Sequence, residues 1–256
     1  MENGAALTVP EVEAVLAAAD AARLHTCCAS VGRRALWLNT IADALDANAD
    51  YLVTIARHET RLPEARLREE LAHTTFAIRT LAKRLIERTL VRPDPQRGLV
   101  SVGPVLVFAA GGFPFELSVA GGDTASAIAA GCPVVVKAHE GHPDLSRATA
   151  RIVVERLARI EAPRGLLRLL EGGRAGVVAV SDRRIRAIAF TGSQADGRHV
   201  AELAMSRPDP IPFYAETGGT DLSASSSGTD GALRFVRPVA VPNLPDAVPS
   251  DGLLPW

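Results

Sequence analysis

The sequence is poor in aromatic residues, lysine and cysteine, and it carries almost no net charge. Aromatic side chains make up 4% of its 256 residues, too few for a surface that stacks bases. The formal net charge of -1 gives no electrostatic pull toward nucleic acid or an anionic membrane. Neither is expected as a partner. The cysteine count is 3. Cys27 and Cys28 are adjacent, and Cys132 lies in a predicted core turn. No disulfide framework and no zinc spacing is legible in them. Reduced thiols, a cytoplasmic location and no metal are the expectation. The adjacent pair leaves two readings, a redox pair or plain unpaired thiols. The N-terminus lacks the basic-then-apolar pattern of a secretory signal. The uncharged run from Gly98 to Phe115 is broken by Pro104, Gly111, Gly112 and Pro114. It reads as a buried strand and turn, not a membrane span.

What is present points to a globular protein with a core. Hydrophobic residues make up 47% and charged residues 22%, and the length allows one large or two small domains. Residues 8 to 88 carry helical periodicity: Val12, Val15, Leu16 and Ala19, then Leu38, Ile41 and Leu45, then Leu71, Ile78, Leu81 and Leu85. A polar link with prolines, 89 to 98, follows. Short apolar runs then alternate with helical patterns: Val105–Phe108, Pro133–Val136, Ile185–Phe190 and Ile211–Ala215. That alternation predicts βαβ units. The expected fold is α/β, a doubly wound, Rossmann-like, mostly parallel sheet with an N-terminal helical layer. The expected units are 1–98, the helical layer and link; 99–221, a dinucleotide-binding-type α/β domain; and 222–256, a Ser-rich linker with a tail strand. Leu233 to Val241 alternates like an edge strand.

Four features fall at strand ends, where ligands bind in such sheets. Lys137 follows a buried run, and it is one of only two lysines, with Lys83. Gly192 and Ser193 form a turn where a helix begins, and backbone N–H groups there favour a phosphate. Glu216 ends the last run, placed to act as a base. Gly111 and Gly112 let a ligand approach the backbone. Each also has a plain structural reading: a rim charge, a helix start, a strand end, a turn.

Together these residues resemble the aldehyde dehydrogenase superfamily, and within it the NADP-dependent ketoglutarate semialdehyde dehydrogenase branch. The matching stretches are Ser118–Ser126, Ala130–His139, Phe190–Ser193 and Tyr214–Glu216, within residues 8 to 221. The resemblance implies a cofactor site at Lys137, His139, Glu140, Gly192 and Ser193. Lys137 would serve the adenosine ribose or its phosphate, and Gly192 and Ser193 the pyrophosphate. Glu216 would be the catalytic base, beside a substrate cleft at Gly112 and Phe113. NAD or NADP is implied, unless it was lost. The branch implies NADP, whereas Glu140, three residues after Lys137, implies NAD, because a carboxylate repels a ribose phosphate.

The sequence also departs from the family. The domain that carries the nucleophilic cysteine is missing after the Glu216 segment, and none of the three cysteines aligns with that nucleophile. Gly112 stands where the family has its oxyanion asparagine. The chain therefore reads as a shortened relative, not a competent aldehyde oxidase, that keeps a nucleotide-type cleft. Two alternatives stay open. One is a cofactor-independent enzyme of small-molecule or secondary metabolism (a cyclase, isomerase or hydrolase) using Glu216. The other is residual NAD(P)-dependent dehydrogenase activity. A small-molecule ligand and a homo-oligomer are the expected partners.

Overall fold

The computed structural model describes residues 8–90, 97–217 and 231–240. The predicted Ser-rich linker, most of the polar link and the end of the tail lie outside the described residues.

Four helices come first: α1 (Val9–Cys27), α2 (Val31–Asp46), α3 (Ala49–Thr60) and α4 (Glu64–Ile86). Their starts follow local rules. The Thr8 amide donates to the Glu11 carboxylate at 2.7 Å, with Pro10 in the first turn. Ser30 accepts from the Arg33 amide at 3.2 Å to cap α2. Arg61, at φ 60°, ends α3.

The sheet has five parallel strands: β2 (Val105–Phe108), β3 (Val134–Lys137), β4 (Leu167–Leu170), β5 (Ala187–Gly192) and β6 (Phe213–Thr217). Their order is β4-β3-β2-β5-β6. The connecting helices are α5 (Gly122–Ala129), α6 (Pro143–Arg159), α7 (Gly173–Ser181) and α8 (Gln194–Met205). Strand alternation divides the core into two layers. Val105, Val107, Val134 and Val136 face one way with α2–α6, while Leu106, Val135, Ile188 and Phe190 face the other with α7 and α8. The doubly wound prediction holds.

The expected N-terminal helices are present, but they do not all cover one face: the α1 stripe Val12, Val15, Leu16 and Ala19 packs on β3, β4 and α7, on the face opposite α2–α4. A fork of charge anchors α1 there. Arg184, before β5, donates both terminal nitrogens to Glu13 at 2.6 Å and also binds Asp182.

The expected tail strand is present but starts later than Leu233. Residues Gly231–Phe235 form a 3-10 turn, and the strand β7 spans Val236–Ala240. It pairs antiparallel with β1 (Arg97–Ser101), Ser101 opposite Val236. Arg97 and Gly98, expected in the link, therefore lie in a strand, and Ile211 and Pro212 lie outside β6. Tertiary packing explains the turn. Phe235 is fully buried, its ring edge-on to Tyr214 at 5.8 Å, and its carbonyl accepts from the Val102 amide.

Candidate functional site

The strand order reverses between β2 and β5, the crevice where doubly wound sheets bind ligands. Phe108 and Phe190 are register partners at this point, with ring centroids 5.7 Å apart. A cleft of about 440 Å³ opens above them, bounded by α7, α8 and the loop after β3. That is within the range of roughly 300–1,000 Å³ typical of ligand sites.

Lys137, His139, Glu140, Gly192 and Ser193 all line it. Lys137 ends β3 on the α7 face. Gly176 of α7 makes room for its stem: a Cβ there would meet Lys137 Cγ and Phe108 Cε1 at 3.3 Å. The stem is thus buried while the ammonium reaches the cleft, where it pairs with the exposed Glu140 carboxylate at 3.3 Å. His139 stacks on the buried His142 at 5.3 Å, and its Nδ1 accepts from the Gly141 amide at 3.0 Å. Burial, then the charges of His142 and Lys137, lower its pKa, so the neutral ring is favoured. His142 Nε2 in turn donates to the Ala110 carbonyl at 2.9 Å.

Gly192 closes β5, and Ser193 is the N-cap of α8. The Ser193 hydroxyl is already engaged. It accepts from the Asp196 amide at 3.1 Å and donates to the Asp196 carboxylate at 2.6 Å. The next two amides, of Gln194 and Ala195, have no acceptor within the helix by its geometry. They are the donors left for an anion, in competition with the Asp196 charge. Thr191 lines the cleft, but its hydroxyl is buried, and by register it shares a sheet face with Glu216, not with Phe190.

Glu216 stands apart. It shares the β6 face with Tyr214, which packs on the α5 side, and it lines neither this cleft nor the groove described below. Arg234 of the tail lies 3.5 Å from Glu216 and 3.7 Å from Asp123, its guanidinium 5.8 Å from the Tyr214 ring centre. Asp123 is buried in the first turn of α5. Burial pushes its pKa up to about 6, opposed by Arg234 and assisted by the Glu216 charge.

Gly112 and Phe113 line a separate, shallower groove of about 730 Å³ with Thr60, Leu62 and Arg66. Gly111 is common to both cavities. Arg66, Asp123, Asp196 and Arg234 do not stand out in the sequence as site residues. The Asp three residues after Ser193 carried a signal, the spacing of a helix start; the other three are assembled only by the fold.

The thiols are elsewhere. Cys27 and Cys28 lie 3.6 Å apart, and burial pushes Cys27 up to about 11. The buried Cys132 is pushed up to about 12. Both shifts suppress the reactive thiolate, which disfavours the redox pair. Among the described residues, no group of three or more His, Cys, Asp or Glu is placed to hold a metal ion, and no helix is long and apolar enough to cross a membrane.

Comparison with known proteins agrees with this architecture. A family profile described as "Aldehyde dehydrogenase family" matches residues 2–230. The chain is similar to alpha-ketoglutaric semialdehyde dehydrogenase 2 of Azospirillum brasilense, 42% identical over 72% of this chain and 38% of that protein. It is also similar to alpha-ketoglutaric semialdehyde dehydrogenase of Acinetobacter baylyi (strain ATCC 33305 / BD413 / ADP1), 35% identical over 82% of this chain and 43% of that protein. The chain thus spans well under half the length of these relatives. Among solved structures, glyceraldehyde-3-phosphate dehydrogenase GapN from Methanocaldococcus jannaschii DSM 2661, complexed with NADP, superposes with a TM-score of 0.73 at 21% identity. It covers 86% of this chain and 49% of that one, a likeness of fold.

Proposed function

The chain belongs to the aldehyde dehydrogenase family, and from that premise we propose that this stretch binds a nicotinamide dinucleotide in the cleft at the β2/β5 switch point. The observation that carries the reading is the convergence of Lys137, Gly192 and the first turn of α8 on one cleft. The residues fit the group. Lys137 would hold the adenosine ribose, and the Gln194 and Ala195 amides a phosphate. Bound there, the dinucleotide supplies a hydride acceptor. NAD suits the site better than NADP, because the Glu140 carboxylate sits on the Lys137 ammonium that a ribose phosphate would need.

We assign binding, not oxidation, to these 256 residues. Aldehyde oxidation through a thiohemiacetal needs a thiolate, and neither Cys27 nor Cys132 lines the cleft or favours that form. Glu216 as a base is disfavoured by its ion pair and its place on the other sheet face. That also weighs against the cofactor-independent enzyme, which needs a cavity converging on Glu216. For the whole protein the proposed substrate class is a short aldehyde carrying a carboxylate, by analogy with the two relatives named for alpha-ketoglutaric semialdehyde. A second copy of the chain is the proposed partner, since β1 and β7 form a two-stranded sheet and such ribbons offer open edges.

Titration calorimetry of the purified chain tests the reading. NAD is expected to bind measurably, more tightly than NADP, with no NADH formed on adding succinate semialdehyde. Failure to bind either dinucleotide overturns the proposal.

A further inference from the structure

We infer that Arg66 is the anion-recognising residue of the second groove, set to hold the carboxylate end of an aldehyde acid. Arg66 lies in the first turn of α4, where a cation faces the positive end of the helix dipole and gains nothing from it. One terminal nitrogen donates to the Gly112 carbonyl at 2.9 Å, and its guanidinium stands 5.2 Å from the Phe113 ring centre. These two contacts fix the plane of the group. A guanidinium has five N–H donors, and the others have no hydrogen-bond partner among the described residues.

The groove's acid does not cancel this charge. Glu59 is occupied, both its oxygens accepting from the α6 amides of Asp144 and Leu145 at 2.9 Å. The nearby buried Glu70 gives one oxygen, Oε1, to the Phe115 and Glu116 amides at 2.7 and 3.0 Å; its charge interacts with Arg66 through space, but no hydrogen bond joins the two among the described residues. A planar carboxylate matches the remaining edges of a fixed guanidinium. The groove meets the proposed dinucleotide cleft at Gly111, so a molecule anchored at Arg66 has its far end directed to where the two cavities join. This inference rests on the dinucleotide reading for its chemistry, but not for the binding itself.

The test uses glutarate as the probe, with uncharged glutaramide as its control, followed by NMR titration of the full chain. Glutarate is expected to shift the Arg66 Nε–H resonance, and glutaramide is not. Arg66→Gln should weaken glutarate binding about tenfold, the loss of one charge-assisted pair. Arg66→Lys should recover part of it, and both variants should keep the parent unfolding midpoint and NAD affinity. Equal glutarate affinity in Arg66→Gln, equal binding of glutaramide, or no glutarate binding overturns the inference. A chain that binds glutarate through Arg66 but no dinucleotide overturns the cleft reading alone.

Discussion

A Cβ placed on Gly111 would stand 2.6 Å from Cε1 of His139. The turn after β2 and the loop after β3 are therefore packed against each other through one imidazole. The missing side chain at 111 and the ring at 139 fill a single space. Behind that ring, His142 holds the Ala110 carbonyl, so three positions tie together the floor shared by the two cavities.

Gly111→Ala is expected to destabilise the fold by about 1–3 kcal/mol, the usual cost of overpacking. Adding His139→Ala should remove most of that cost. Urea denaturation of the two single variants and the double variant gives the coupling energy. Additive losses would mean the two positions do not compete for space.

Cofactor preference should turn on Glu140. Lys137→Ala removes the buried-stem cation of the cleft and should weaken dinucleotide binding severalfold. Glu140→Gln frees the Lys137 ammonium and removes a repulsive charge, so it should move preference toward NADP. Calorimetric affinities for both dinucleotides check this. An unchanged NAD-to-NADP ratio in Glu140→Gln would remove Glu140 from the site.

Stability should fall with rising pH around Asp123. Its pKa rises from 3.8 to about 6 on folding, chiefly through burial. Between those values the folded chain holds a proton that the unfolded chain has released. Folding is thus unpenalised below about pH 4 and loses on the order of 3 kcal/mol by the time pH passes about 6. Asp123→Asn should lack this decline while leaving Arg234 paired with Glu216. Denaturation midpoints across pH 4 to 7 for both proteins test it, and parallel curves would refute the assignment.

The tail should matter to the sheet. Phe235 is fully buried against Tyr214, so Phe235→Ala should cost about 3–5 kcal/mol. Thermal unfolding followed by circular dichroism measures the loss. A variant as stable as the parent would place the tail outside the cooperative unit.

The sheet was legible because Val105–Val107 and Val134–Val136 are buried apolar runs bounded by turns. The cleft residues Lys137, Glu140 and Gly192 were legible because they end such runs. Glu216 also ends a run, but a strand end has two faces. Only the register of β6 shows that it lies on the α5 side with Tyr214. Periodicity likewise identified the α1 stripe without saying which sheet face it covers; the Arg184 fork to Glu13 decides that across a long sequence separation. The alternation from Leu233 read as strand throughout, since the demand that Phe235 be buried is tertiary.

The pairing of β1 with β7 has a consequence for biosynthesis. Ser101 and Val236 are register partners, so β1 leaves the ribosome long before the strand that completes it. At ~5–20 residues per second, the ~135 residues between them take roughly 7–27 s to make. Throughout that interval β1 lacks its partner strand, and the five-stranded sheet is itself completed only when β6 emerges, shortly before β7. Its eventual partner therefore cannot cover that edge for most of synthesis.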